Sequence, residues 1–328
     1  MNIDVTKRIV ILGAAGFIGY HLSNAISKIA NVNLVLVDNF VRGKNDDYYN
    51  DFAKSNKIKV LELDLSLENS YHGLFQNNDI VINCAALNGT QNFYNFPVEV
   101  IRHSAMTSIL AAEYSSLNKV SKYIYLGTPE SYAGGINLGI VNIPTNESVP
   151  LIIEDPLNSR WSYAASKSMG EIAALANREQ YGLNISILRV HNIYGPRMGD
   201  NHVVPDLVEK FLNNNFDVVG INESRSFMYI DDLVTILNKL IFGEIALTDC
   251  ILHVGSTREI LIGDLAYLIL DILNLKSQIN PIANFRGSVL RRVPDTTLLK
   301  SICKFEETDL RTGILKYIDW YKNNNQNF

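Results

Sequence analysis

Residues 9–22 read IVILGAAGFIGYHL, an apolar run that breaks into three glycines, Gly13, Gly16 and Gly19. The run predicts a buried strand and the residues beyond Gly16 a helix, so the glycines form a GxxGxxG turn between the two. Glycine is needed where a chain reverses tightly and where backbone must approach a pyrophosphate, whose charge a helix N-terminus stabilises. Three glycines alone are weak evidence, and a purely structural turn is the competing reading. The stretch NLVLVD (33–38) decides between them. It predicts the next strand and ends in Asp38, an acid about 20 residues on, which completes the dinucleotide-binding pattern.

An acid at Asp38 can hydrogen-bond both ribose hydroxyls and would repel a 2′-phosphate. That favours NAD over NADP, while Arg42 and Lys44 nearby keep NADP open. Asp64, in LELDL (61–65), is placed to meet the adenine edge with Leu65, or else caps a helix starting near Ser66.

Further apolar runs at Lys57–Leu63, Asp79–Cys84, Lys122–Leu126 and Asn184–Val190 join Arg8–Leu12 and Asn33–Val37 as strands. Helical patterns near 16–29, 66–76, 97–118 and 160–181 alternate with them. The strands are continuously apolar, which suits a parallel sheet covered on both faces. The expectation is an α/β fold, a doubly wound parallel sheet of Rossmann type with a smaller, discontinuous C-terminal substrate lobe. Residues 1–190 with about 226–254 are expected in the first domain, and about 191–225 with 255–328 in the second.

A net charge of −5 argues against a nucleic-acid or anionic-membrane partner. No apolar run is long enough to span a membrane, and the N-terminus lacks the basic region of a signal peptide. The three cysteines, Cys84, Cys250 and Cys303, have no metal or redox spacing, and the six histidines form no paired-ligand pattern, so no metal is expected. A cytoplasmic protein without disulfides is the simplest account.

The stretch RWSYAASKSMGE (160–171) contains Tyr163 and Lys167 at i, i+4, which puts both side chains on one helix face. A phenol is a poor base at neutral pH; a nearby ammonium stabilises its phenolate, so Tyr163 is a candidate to take a proton from a sugar hydroxyl. A Tyr/Lys pair on a solvated face is the plainer alternative.

GAAGFIG, Asp38, Thr128, Tyr163-x-x-x-Lys167 and HNIYGPRM (191–198) together resemble the extended short-chain dehydrogenase/reductases that act on nucleotide sugars, the NAD-dependent epimerase/dehydratase group. The likeness runs essentially end to end. It implies NAD held by Gly13, Gly16, Phe17, Ile18 and Gly19, with Ala85 in the small-residue stretch beside it. It implies that Thr128 hydrogen-bonds the sugar 4-hydroxyl, that Tyr163 deprotonates it, and that Lys167 lowers the tyrosine pKa and holds the nicotinamide ribose. Asn192, Arg225 and Arg292 match positions that contact a nucleotide diphosphate. A homodimer through helices 97–118 and 160–181 is implied in the same way.

Thr128-Pro129-Glu130 leaves the reaction open. All members of the group oxidise C4 first. A 4-epimerase needs little beyond Thr, Tyr, Lys and NAD, whereas dehydratases and decarboxylases pair the Thr with an acid or hydroxyl and then a Glu. Glu130 keeps that carboxylate; Pro129 has no side-chain proton to give. His202 is a candidate general acid or substrate contact, or an ordinary loop histidine. A C4 epimerase is the first expectation and a lyase using Glu130 the second. A non-catalytic NAD-binding sensor or scaffold is the rival of another class.

Overall fold

The computed structural model describes residues 6–199, 202–247, 250–284 and 288–324. The first apolar run is strand β1 (Lys7–Leu12); the glycine turn leads into helix α1 (Phe17–Ile26), and NLVLVD lies in β2 (Val32–Asp38). Then come α2 (Asp47–Ser55), β3 (Lys59–Glu62), β4 (Ile80–Asn83), α3 (Thr90–Asn95), α4 (Pro97–Ile101) and α5 (Thr107–Leu117). They are followed by β5 (Lys122–Gly127), α6 (Glu130–Asn137), α7 (Trp161–Tyr181) and β6 (Ile185–Val190).

These strands and Ile251–Val254 form one seven-stranded sheet in the order Ile251–Val254, β6, β5, β4, β1, β2, β3. Strands β1 to β6 pair in parallel. The doubly wound α/β expectation is met. Ile9–Leu12 in β1 are fully buried, as a central parallel strand covered on both faces requires. Each such side chain contributes about 1.5–3 kcal/mol by leaving water. The strand order reverses between β1 and β4, so their carboxyl ends, at Gly13 and Cys84, flank the switch-point crevice of the sheet.

Two expected helices come out differently. The pattern over 66–76 forms only a 3₁₀ turn at Glu68–Tyr71, because His72 leaves helical geometry and Gly73 takes φ +71°. The stretch 97–118 is interrupted by a π turn at Arg102–Met106 between α4 and α5. There the Ser104 hydroxyl accepts the Leu87 N–H at 3.1 Å.

Contacts divide the chain into two compact units. The first holds residues up to Ser131, Ser159–Arg189 and Val234–Leu252; the second holds Tyr132–Asn158, Val190–Leu233 and the chain from His253 on. The expected bounds kept 132–158 with the first. Its backbone bonds, Thr145 N–H to Val293 O at 3.0 Å and Asp295 N–H to Thr145 O at 2.7 Å, run to residues of the second. Within the second unit, Ser224–Ser226 is the middle strand of three, between Glu259–Leu261 and Arg291–Arg292. Among the described residues no helix is long and apolar enough to cross a membrane.

Candidate active site

The β1–α1 turn is built by close approach. Gly13 has φ +76°, and a Cβ there would lie 2.7 Å from the Ala85 Cα. A Cβ on Gly19 would lie 2.2 Å from the Gly13 carbonyl oxygen, so the helix can seat against the turn only as glycine. Helix α1 starts from Gly16 in extended geometry with no side-chain cap and no acid in its first turn. Its first N–H groups therefore present the positive end of the helix dipole. Phe17 and Ile18, its first two residues, are half-buried. Asp38 accepts the Ala15 N–H at 2.9 Å on one oxygen and the Phe40 N–H at 2.8 Å on the other. Burial raises its pKa while these backbone N–H groups pull it back. A turn that any Cβ would fill, an uncapped helix start and this acid fit a dinucleotide.

Asp64 accepts both the N–H and the hydroxyl of Ser66, at 2.9 and 2.7 Å, and lies 3.6 Å from His103 Nδ1. Asp64 thus closes a local turn onto Ser66 and caps no helix, since the 3₁₀ turn begins at Glu68 with Leu67 before it. Leu65 is buried in the core, its carbonyl accepting the Tyr71 hydroxyl at 2.9 Å. Ala85 donates its N–H to the Asn83 side chain at 3.1 Å.

Thr128 follows β5 directly. Its hydroxyl accepts the Glu130 N–H at 3.3 Å and so caps α6, with Pro129 between cap and first helical residue, where no N–H is needed. Tyr163, in the first turn of α7, lies near enough to Thr128 for that residue to lower its pKa. The Tyr163 ring stacks on Phe93, centroids 4.8 Å apart at 15°. Burial raises the Tyr163 pKa; Arg42 pulls it down and Glu130 pushes it up. Arg42, weighed from sequence for a 2′-phosphate, thus makes its charge felt at the phenol.

Lys167 is buried, its Nζ 4.2 Å above the Tyr125 ring. Burial pulls its pKa down to about 8, while the Glu171 carboxylate pulls it back up. Burial pushes the neighbouring Cys84 thiol up to about 12. Glu130 accepts from Arg160 Nη2 at 3.2 Å, both side chains mostly buried. Sequence reasoning missed Arg160 and Phe93. Arg160 stands three residues before Tyr163, a local signal; Phe93 belongs to no motif and is 70 residues from Tyr163 in the chain.

The remaining expected residues lie in the second unit. Asn192, at φ +30°, donates its side-chain N–H to the Ser226 carbonyl at 3.0 Å. Arg225 donates to Glu223 Oε2 at 2.7 Å and to the Ser224 carbonyl at 2.8 Å. Arg292 stands opposite Arg225 in the parallel register of neighbouring strands. Registered neighbours share a sheet face. Both are buried, at 7% and 8% exposure, with the Arg225 guanidinium paired to Glu223. His202 is the residue before helix Val203–Leu212, in extended geometry, and does not cap it with its side chain. Among the described residues no cluster is arranged to hold a metal ion.

The family model described as "NAD dependent epimerase/dehydratase family" matches residues 9–242. The chain is 28% identical over 334 residues to the UDP-N-acetyl-alpha-D-glucosaminuronate decarboxylase of Bacillus cytotoxicus, covering 96% of this chain and 98% of the relative. It is 27% identical over 279 residues to the dTDP-D-glucose 4,6-dehydratase of Dictyostelium discoideum, covering 81% and 62%. In structure it superposes on the UDP-N-acetylglucosamine 4-epimerase of Methanobrevibacter ruminantium with a TM-score of 0.85 at 22% identity, covering 97% and 99%, a likeness of fold. With the match spanning well over half of its length and the dinucleotide turn in place, the chain belongs to the NAD dependent epimerase/dehydratase family.

Proposed function

We propose that the protein interconverts C4 epimers of a sugar carried on a nucleotide diphosphate, through a 4-keto sugar. The observation that carries this reading is that Tyr163 stands one turn from buried Lys167 on α7 while Glu130 is engaged by Arg160. Epimerisation at C4 needs one proton taken and the same proton returned. Tyr163 removes it from the 4-hydroxyl and gives it back, Thr128 orients that hydroxyl, and Lys167 supplies the cation that makes the phenolate accessible. A C5 base is not required, and a carboxylate oxygen occupied by a guanidinium is poorly disposed to be one.

Gly13, Gly16, Phe17, Ile18 and Gly19 hold the pyrophosphate of NAD, Asp38 its adenosine ribose, and Asp64 and Leu65 its adenine. Ala85, Tyr163 and Lys167 flank its nicotinamide end. NAD bound there supplies a hydride acceptor that returns the hydride to the sugar. Asn192, His202, Arg225 and Arg292 bind the substrate, the two arginines taking its diphosphate. The functional unit is a homodimer, supported by apolar side chains left exposed on adjoining helices: Val98 and Ile101 on α4, Met169 and Ile172 on α7.

A second reading, loss of carbon dioxide from a uronic acid, is favoured by the 28% identity to a decarboxylase and by Glu130 itself. The test is the mass of the product from UDP-, dTDP-, GDP- and CDP-sugars, uronic acids included. Unchanged mass with a new stereoisomer supports the epimerase. Loss of carbon dioxide or of water replaces it with a lyase. No turnover with NAD bound restores the sensor.

A further inference from the structure

One helical turn from Lys167 stands a buried carboxylate that the reaction above does not use. Helix α7 carries Tyr163, Lys167 and Glu171 at i, i+4 and i+8, so the three side chains share one face. Glu171 is 1% exposed in its side chain and Arg189, from β6, is 3%. Arg189 grips the carboxylate with Nε at 3.2 and 3.1 Å from the two oxygens and Nη2 at 3.0 Å. The carboxylate lies in a slot left by Gly127, the residue immediately before Thr128. A Cβ on Gly127 would sit 2.9 Å from Glu171 Oε1 and 3.4 Å from Arg189 Cγ. Gly127 and Arg189 are register partners on β5 and β6, so the pair is wedged at the strand end from which Thr128 emerges.

The surroundings of Lys167 are otherwise poor in charge. From its own helix Tyr163 and Glu171 face it, from the turn after β4 Cys84, from β5 Tyr125, and behind Glu171 the Arg189 of β6. The Tyr125 hydroxyl donates to the Lys167 carbonyl at 3.2 Å, which fixes the helix turn, and its ring offers the ammonium only a π face. The Tyr125 hydroxyl in turn fits only because residue 170 is glycine, where a Cβ would lie 2.2 Å away. Glu171 is therefore the one full negative charge among these groups.

We propose that Glu171, clamped by Arg189 in the Gly127 slot, is the positioning residue that keeps buried Lys167 an ammonium and so sets the alkaline limit of turnover. Arg189 holds the carboxylate still. An ordinary helix–sheet clamp is the plainer account of the Glu171–Arg189 pair. It explains the burial and the bidentate geometry, but it leaves unexplained why the pair stands one helical turn from Lys167 and against the residue preceding Thr128.

The proposal rests on the roles of Tyr163 and Lys167 proposed above, and its test separates the two. The pH dependence of kcat and KM is measured for the wild-type protein with the sugar nucleotide that it turns over, then for Glu171→Gln, Glu171→Asp and the double variant Glu171→Gln/Arg189→Gln. Folding of each is checked by circular dichroism. Glu171→Gln alone leaves a buried guanidinium without its carboxylate and is destabilised; the double variant removes both charges. The expectation is that the alkaline limb of kcat moves to lower pH by about one to three units in Glu171→Gln and in the double variant. KM should stay within about two-fold, and Glu171→Asp should restore most of the limb. A limb at its wild-type pH in a folded variant lacking the carboxylate overturns the proposal. So does a double variant that fails to fold while Glu171→Asp, folded, shows only a loss of stability. Absence of wild-type turnover at every pH fails the catalytic reading itself.

Discussion

At the scale of single residues the site is governed by burial. Tyr163 is made a weaker acid by its surroundings, so its use as a base depends on cations close by. Replacing it with Phe should lower kcat by about 10²–10⁴, the range for losing a general acid–base group, with NAD affinity little changed by fluorescence titration. Lys167 has the opposite sign. Its folded pKa of about 8 lies below the ordinary 10.5, so between these values the unfolded chain binds more protons and stability rises with pH. The full difference is on the order of 3 kcal/mol. Denaturant titrations of the NAD-free protein across that window should show the slope, and Lys167→Met should flatten it. Glu130→Gln offers a sharper division between reactions. A C4 epimerase should keep turnover within about ten-fold, while a lyase that uses this carboxylate should lose about 10² or more of kcat.

What could be read at this scale was whatever the chain states locally. Tyr163 and Lys167 stand one helical turn apart, and Thr128 opens a recognisable strand end. The charges that act on them come from elsewhere. Glu130 meets Arg160 across 30 residues and Glu171 meets Arg189 across 18, and Arg42 acts on Tyr163 from the segment after β2. Only the fold brings such groups together, so no motif announces them.

At the scale of elements, the turn between β1 and α1 has the least tolerance. Gly13→Ala places a methyl against the Ala85 backbone at a positive φ, and each effect alone costs about 1 kcal/mol. NAD affinity should fall more than the unfolding temperature, as calorimetric titration beside a melting curve would reveal. The central strands of the sheet were legible because fully buried parallel strands are uniformly apolar, whereas the edge strand β3, KVLE, is partly exposed. The helix expected over 66–76 was not, because its pattern continued through Gly73, whose backbone leaves the helical region. The π turn at Arg102–Met106 leaves no trace in apolar periodicity, since it shifts hydrogen bonds without changing which residues are apolar.

At the scale of the whole molecule, the exposed apolar residues of α4 and α7 set an expectation for assembly. Light scattering on the eluting protein should give a dimer mass, and Ile101→Glu with Ile172→Glu should return a monomer that keeps its fold.

The two compact units also share one thread in a manner that bears on how the protein is made and cut. Each unit is assembled from three segments, so the chain passes between them five times, once between Ser131 and Tyr132 and again between Arg189 and Val190. Neither unit is a continuous stretch that a ribosome completes before starting the other. A nascent chain released at residue 190 would hold six strands of the sheet but lack Ile251–Val254 at its edge. No single cut can liberate one unit from the other, and a gene fragment encoding only the glycine turn and the YxxxK helix should yield insoluble product. In inheritance as in synthesis, the two halves travel as one piece.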